Sequence, residues 1–142
     1  MRSRIGELAQ VGDVYAVVRE SREAPVFLDV NPGGHFKGQD PTVPRETLLA
    51  NWVEGAEVVY FGKANELRRR LREFADFGAG RPISHWGGRL IWQLADSDAL
   101  LVAWKPTPSG ISPLAFEGDL IRRFRTAYGK PPFANEPHRL GR

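Results

Sequence analysis

A short apolar segment that runs directly into a basic helix constrains this chain more than any other feature of its sequence. Residues 58–61 read Val-Val-Tyr-Phe, a β-branched and aromatic run typical of a buried strand, and Gly62 is expected to end that strand. Residues 66–75 are rich in helix formers, and their apolar side chains recur every three to four positions. The segment therefore predicts a strand, a tight turn and an amphipathic helix in direct succession.

The arginines of this predicted helix differ in where they point. At about 100° per residue, Arg68, Arg69 and Arg72 project away from the apolar face, as solvated side chains do. Arg70 instead lies at the flank of that face. The pattern predicts three surface arginines and one arginine whose position is fixed by packing.

Apolar runs and helix-end signals elsewhere predict further strands and helices, which makes the chain an α+β protein. Ser112 can cap the last helix, and Gly129 can end it. The strand after residue 99 is expected to be central or to close the sheet. The further strands are predicted at residues 11–18, 26–30 and 99–105, and the further helices at 44–55, 89–94 and 113–128.

One domain accounts for all 142 residues, with a loose tail expected at about 136–142, because a chain of this length buries roughly 70% of its extended surface. The net charge of +3 permits an anionic partner, and no feature sets an oligomeric state. The absence of cysteine excludes disulfides and thiolate chemistry. No apolar run reaches signal-peptide or membrane-span length, so we expect a cytoplasmic protein outside the membrane.

Glu117 is out of place on the last predicted helix. On a helical wheel it lies within about 40° of Ile121 and Phe124 and about 60° from Leu114, in the middle of the apolar stripe that these residues form. An unpaired carboxylate in a low-dielectric site is strongly unfavourable. Three explanations remain open from the periodicity: a structural ion pair with an arginine such as Arg70 or Arg89, a functional acid or metal ligand, or an error in the register of the helix.

Four segments, in order, resemble the GIY-YIG nuclease superfamily, and the resemblance extends from residue 14 to residue 135. Residues 13–15, Asp-Val-Tyr, resemble the first half of the family's name motif, and residues 60–64, Tyr-Phe-Gly-Lys-Ala, resemble the second half. Arg70 matches the family's arginine eight residues after the glycine. Residues 117–121, Glu-Gly-Asp-Leu-Ile, resemble its metal-binding helix, and residues 133–135 resemble its terminal aromatic-to-asparagine element.

The chain also departs from the family pattern. Asp13 replaces the usual glycine, and Phe74 stands where many relatives have tyrosine. The family joins its two tyrosine strands by a short hairpin, whereas here Tyr15 and Tyr60 are separated by an insertion of about residues 19–55, with its own candidate strand and helix.

The resemblance implies a small mixed or antiparallel three-stranded sheet flanked by helices, and a divalent-metal-dependent endonuclease for which DNA is favoured over RNA as the substrate. Glu117 would hold one Mg²⁺ or Mn²⁺, hard ions that suit a carboxylate. Arg70 would clamp the scissile phosphate. Either Tyr15 or Tyr60 would orient or deprotonate the attacking water, and Lys63 would lower the pKa of that phenol or bind phosphate.

Three more residues are candidate nucleic-acid contacts: His85, Arg89 and Asn135. Alternatives stay open for the first two, since His85 beside a Gly-Gly turn suits a structural role and Arg89 suits a partner for Glu117. Two other functions also stay open: a nucleic-acid-binding module that has lost turnover, and a protein-interaction domain whose insertion docks a partner.

Overall fold

The computed structural model describes residues 13–33, 40–64, 69, 72–73, 75 and 89–135. Residues 69, 72, 73 and 75 are helical, in agreement with the helix predicted over 66–75. The other regular elements of the described chain are a short 3-10 helix (Ser97–Ala99), three strands and three α-helices: β1 (Asp13–Val18), α1 (Arg45–Asn51), β2 (Val58–Ala64), α2 (Arg89–Trp92), β3 (Leu101–Pro106) and α3 (Pro113–Tyr128). None of the helices in these described ranges is long and apolar enough to cross a bilayer.

The three strands form one antiparallel sheet in the order β2-β1-β3, which confirms the α+β class. Directly paired residues project to the same side of a sheet, and successive residues project to opposite sides. Tyr15 pairs with Gly62 on β2 and Trp104 on β3, and these three define the tyrosine face. Val14 pairs with Lys63 and Lys105, and these three define the lysine face, on the opposite side.

The tyrosine face carries the main core of the described chain. Tyr15 and Val17 are almost completely buried there, in one cluster with side chains from α1 and from the segment around α2. The contributors from those two helical segments are Leu48, Leu90, Ile91 and Leu94. Removing such apolar surfaces from water is the main favourable term in folding.

Helix α3 packs across the lysine face. Phe124 of α3 meets Phe61 of β2 edge-on, with ring centroids 6.4 Å apart. Nearer the start of the helix, Phe116 lies under Lys105 of β3, whose Nζ is 5.9 Å from the ring centroid. Helix α3 therefore covers the β2 and β1 part of the lysine face, and the α1 and α2 segments cover the tyrosine face.

The ends of α3 are those that the sequence predicts. The Ser112 hydroxyl accepts a hydrogen bond from the Ala115 N–H at 3.1 Å, and Pro113 occupies the first turn. Gly129 ends the helix in the left-handed region, at φ 83°, and its N–H donates to the Arg125 carbonyl.

Two predictions about the strands are wrong. Gly62 does not end β2, which continues to Ala64. The strand predicted at residues 26–30 is only a single bridge between Phe27 and Leu94, because Phe27 alone of that run enters the core. The strand predicted at residues 99–105 is not central, since β1 occupies the middle; it is β3, which closes the sheet at one edge.

Candidate functional site

Glu117 and Lys63 come together on the lysine face. Glu117 is on α3 and is half-buried, and this burial raises the pKa of its carboxyl above the usual range. The Lys63 ammonium group opposes that shift by lowering the pKa of Glu117. The carboxylate and the ammonium group are therefore close enough to interact electrostatically.

Glu117 lies where the buried side of α3 gives way to solvent. Ile121 and Phe124, one and two turns further on, are buried, whereas Leu114, one turn earlier and on the same predicted stripe, is 58% exposed. Among the described residues, no hydrogen bond or ion pair engages the carboxylate of Glu117. Its oxygens therefore have capacity for a ligand, and a salt bridge with Arg89 does not account for it.

The outward side of α3 is solvated, as its periodicity predicts. Arg122, Arg123 and Arg125 are exposed. Both Arg122 and Arg123 contact the carboxylate of Asp119, at 3.2 and 3.0 Å. Exposed ion pairs of this kind contribute little to stability, and they offset part of the positive charge on this side of the helix.

The two tyrosines lie together on the tyrosine face. Tyr15 is only 2% exposed, and its ring centroid is 6.1 Å from that of the partly buried Tyr60. The ring of Tyr15 covers the position where a side chain at Gly62 would project. The sheet thus separates the tyrosine pair from Glu117 and Lys63, so the four side chains do not converge on one face.

The structure places Asn135 at the outer edge of β2 and Arg89 at the start of α2. The Asn135 side chain bonds both backbone groups of Phe61, accepting from its N–H at 2.8 Å and donating to its carbonyl at 3.0 Å. Arg89 begins α2, whose next two residues pack in the core on the tyrosine face. Its carbonyl accepts a hydrogen bond from Asn31 Nδ2 at 2.7 Å. Nucleic-acid roles for both stay predictions.

Arg70 and His85 lie outside the described residues, so their predicted roles stay predictions as well. The sequence analysis did not identify Lys105, which also lies on the lysine face. In the sequence this residue is only the polar end of an apolar strand. Its position opposite Val14 follows from the strand register, which no local pattern in this chain specifies.

A divalent cation fits Glu117 only with help from other oxygen donors. The described residues contain no group of three His, Asp or Glu side chains that could hold a metal ion. Mg²⁺ is commonly held by one or two carboxylates, with waters and substrate phosphates completing its shell. The charge of Lys63 disfavours a bare cation at this place.

A cleft of about 290 Å³ opens at the far end of β1 and contains none of the predicted site residues. The Arg19 guanidinium lies at its wall, 5.2 Å from the centroid of a Trp52 ring. Arg19 is paired with Asp96 at 3.0 Å, and the exposed Glu54 and Glu57 also line the cleft. Its charges therefore offset one another, and the cleft favours no ligand class.

Fold and site together define a small α+β protein with an antiparallel three-stranded sheet and a glutamate–lysine pair formed between α3 and β2. No protein-family model, curated protein or solved structure matches this chain. The assignment of a function therefore depends on the order of the motifs and on the geometry of the lysine face.

Proposed function

We propose that the protein is a divalent-metal-dependent endonuclease that hydrolyses phosphodiester bonds in DNA at a site formed by Glu117 and Lys63. The observation that carries the proposal is the half-buried Glu117 carboxylate, which faces Lys63 and has no hydrogen-bond partner among the described residues. The ordered resemblance of residues 13–15, 60–64 and 117–121 to the GIY-YIG superfamily supports the same function.

Phosphodiester hydrolysis needs positive charge at the phosphate, an activated water and stabilisation of the departing oxygen. Glu117 would hold Mg²⁺ or Mn²⁺, which when bound supplies charge neutralisation and lowers the pKa of water. The Lys63 ammonium group binds a phosphate oxygen on the same face. By resemblance, Arg70 clamps the scissile phosphate. Because burial raises the pKa of Glu117, protons compete with the cation at a higher pH than they would at an exposed carboxylate, and activity falls as the pH is lowered.

The tyrosines enter this proposal through the resemblance. A phenol that acts as the base must reach the phosphate around the end of β2, because the sheet separates the two faces. Tyr60 is partly exposed, whereas Tyr15 is buried in the core. Burial therefore favours Tyr60 as the phenol that meets the attacking water, and it gives Tyr15 a packing role against Gly62.

The proposal is tested by nicking of supercoiled plasmid with Mg²⁺ or Mn²⁺. Glu117→Gln keeps the size of the side chain and removes its charge, and we expect the rate to fall at least about 100-fold, as for loss of one charge-stabilising group. Glu54→Gln is the matched control, because Glu54 is exposed and lies in the cleft at the far end of β1, away from Glu117. Circular dichroism checks that both variants fold. Nicking by Glu117→Gln at the wild-type rate, or nicking that survives a chelator, would overturn the proposal.

A second candidate is a DNA-binding module without turnover. The burial of Tyr15 and the separation of the tyrosines from Glu117 favour it, since the implied catalytic groups do not share one face. This candidate predicts salt-dependent DNA binding by the wild-type protein and no nicking with either metal.

A further inference from the structure

Lys63 and Lys105 occupy one row across the sheet. Each is paired with Val14, from opposite sides, and strands in a sheet are about 4.8 Å apart, so the two Cα atoms are separated by about 10 Å. Both lysines are exposed, whereas Val14 between them is buried. The row therefore presents two ammonium groups on one side of the sheet, with an apolar residue between their stems.

The start of α3 lies over this row. Lys63 acts electrostatically on Glu117, and Lys105 contacts Phe116, the residue just before Glu117 in the helix. The ring of Phe116 attracts the ammonium group through a cation–π interaction and so limits the directions that Lys105 takes. The two lysines thus lie on either side of the segment that carries the carboxylate.

The β3 side of the lysine face is open. Ala103 and Lys105, two residues apart and on the same side of β3, are both exposed, while the second half of α3 packs on β2 through Phe124 and Phe61. A chain of phosphates therefore has access to Lys105 without displacing the helix.

Building on the proposed function, we propose that this row docks the sugar–phosphate backbone of DNA, with Lys63 at one phosphate and Lys105 at another phosphate of the same strand, on the other side of the start of α3. Two ammonium groups whose stems start about 10 Å apart suit a chain with repeated negative charges better than a single phosphate. The protein then selects a polynucleotide over a mononucleotide, and Lys105 contributes binding rather than chemistry.

The test measures binding without turnover. Fluorescence anisotropy of a short labelled DNA duplex in chelator, between about 50 and 200 mM salt, gives the slope of log K against log salt concentration. Lys105→Met and Lys63→Met keep most of the apolar stem and remove the charge, and each should reduce the magnitude of the slope by about 0.9 and weaken binding. Lys130→Met is the matched control, since the Lys130 ammonium group donates to the Ala50 carbonyl, away from the row.

The outcomes separate this inference from the proposed function. If Lys105→Met binds with the wild-type slope and affinity while nicking still depends on Glu117, the inference is wrong and the nuclease stands. If the wild-type protein fails to nick DNA but Lys105→Met reduces the magnitude of the salt slope as expected, the inference about the lysine row stands and the proposed nuclease activity is wrong. If the wild-type protein does not bind the duplex at the lowest salt concentration, the inference that the lysine row docks DNA is wrong.

Discussion

Gly62 is a position where the absence of a side chain determines how the sheet packs. A Cβ built at this residue would lie 2.5 Å from the hydroxyl oxygen of Tyr15 and 2.7 Å from its Cε1, far inside normal contact distances. The backbone of Gly62 is ordinary strand, and the tyrosine ring is buried, so the ring cannot swing into solvent to make room. Glycine is required here by the ring of Tyr15 rather than by a turn.

Gly62→Ala should therefore destabilise the protein by overpacking. The new methyl group forces the Tyr15 ring or β1 to move, and such shifts in packed cores cost about 1–3 kcal/mol. The free energy of unfolding is measured by urea denaturation followed by circular dichroism.

Gly118→Ala is the matched control for this change. A Cβ at Gly118 meets no atom within 4 Å, and the residue is in the interior of α3, where alanine is favoured over glycine by up to about 1 kcal/mol. The same substitution should thus lower stability at position 62 and raise it at position 118. Equal stability of the Gly62→Ala variant and the wild type would show that the Tyr15 ring does not cover this position.

The sequence predicts single residues well where a local period defines them. The wheel identifies Glu117 as a carboxylate on the sheet side of its helix, and its half-burial confirms this. The same wheel wrongly includes Leu114 in the buried stripe. The helical period gives the direction in which a side chain points, but it does not say how much of the helix is covered by the sheet. Lys63 as the neighbour of Glu117 depends on tertiary packing, which a local pattern does not contain.

At the scale of elements, the outer edge of β2 is closed by a short segment after α3 rather than by a fourth strand. The Ala134 N–H donates to the Val59 carbonyl at 2.8 Å, and the Asn135 amide then bonds both backbone groups of Phe61. The side-chain amide thus takes the place of a peptide group on a neighbouring strand. Covering an edge in this way satisfies its polar groups and keeps it from pairing with other chains.

Asn135→Ala should remove two hydrogen bonds from this edge and lower the free energy of unfolding by about 1–3 kcal/mol. Asn135→Asp keeps the acceptor for the Phe61 N–H but places a second acceptor against its carbonyl, so it should also be destabilised. Hydrogen exchange of the Phe61 amide provides the local measurement, and exchange should be faster in Asn135→Ala. Unchanged stability and exchange would instead leave the Asn135 amide free for the predicted nucleic-acid contact.

A helix with capping residues at both ends is predicted accurately from the sequence. A strand that must pair with a segment distant along the chain is not. Ser112 and Gly129 set the ends of α3 through bonds to residues a few positions away. Residues 26–30 have strand composition, but β-branched residues form a strand only where a neighbouring strand pairs with them. Here the partner is Leu94, distant along the chain, and it pairs with Phe27 alone.

At the scale of the whole molecule, the long segment between Tyr15 and Tyr60 is part of the core rather than an addition to it. Its Phe27 and Trp52 rings lie 5.7 and 5.2 Å from the ring of Phe133, which follows α3. The aromatic cluster therefore joins this segment to the end of the described chain. This segment is built into the hydrophobic core of the protein, and its removal would leave part of the tyrosine face uncovered.

Arg19 links three parts of this core at the end of β1. Its Nε donates to the Asp96 carboxylate at 3.0 Å, and one terminal nitrogen donates to the carbonyls of Ser21 and Glu23, at 3.2 and 2.9 Å. The guanidinium also lies against the ring of Trp52, and its side chain is only 7% exposed. A planar group with several fixed donors is needed to make these contacts at once.

Arg19→Lys should for this reason destabilise the whole molecule, although it keeps the charge. A lysine ammonium group cannot reproduce the fork of donors, so the Asp96 carboxylate and the two carbonyls lose partners, at a cost of about 2–4 kcal/mol. Arg45→Lys is the matched control, because Arg45 and its partner Asp29 are both largely exposed and such pairs are worth less than about 1 kcal/mol. Thermal denaturation should show one cooperative transition at a clearly lower temperature for Arg19→Lys and little change for Arg45→Lys. Equal shifts in the two variants would mean that Arg19 is a surface residue in solution and does not join the segment to the sheet.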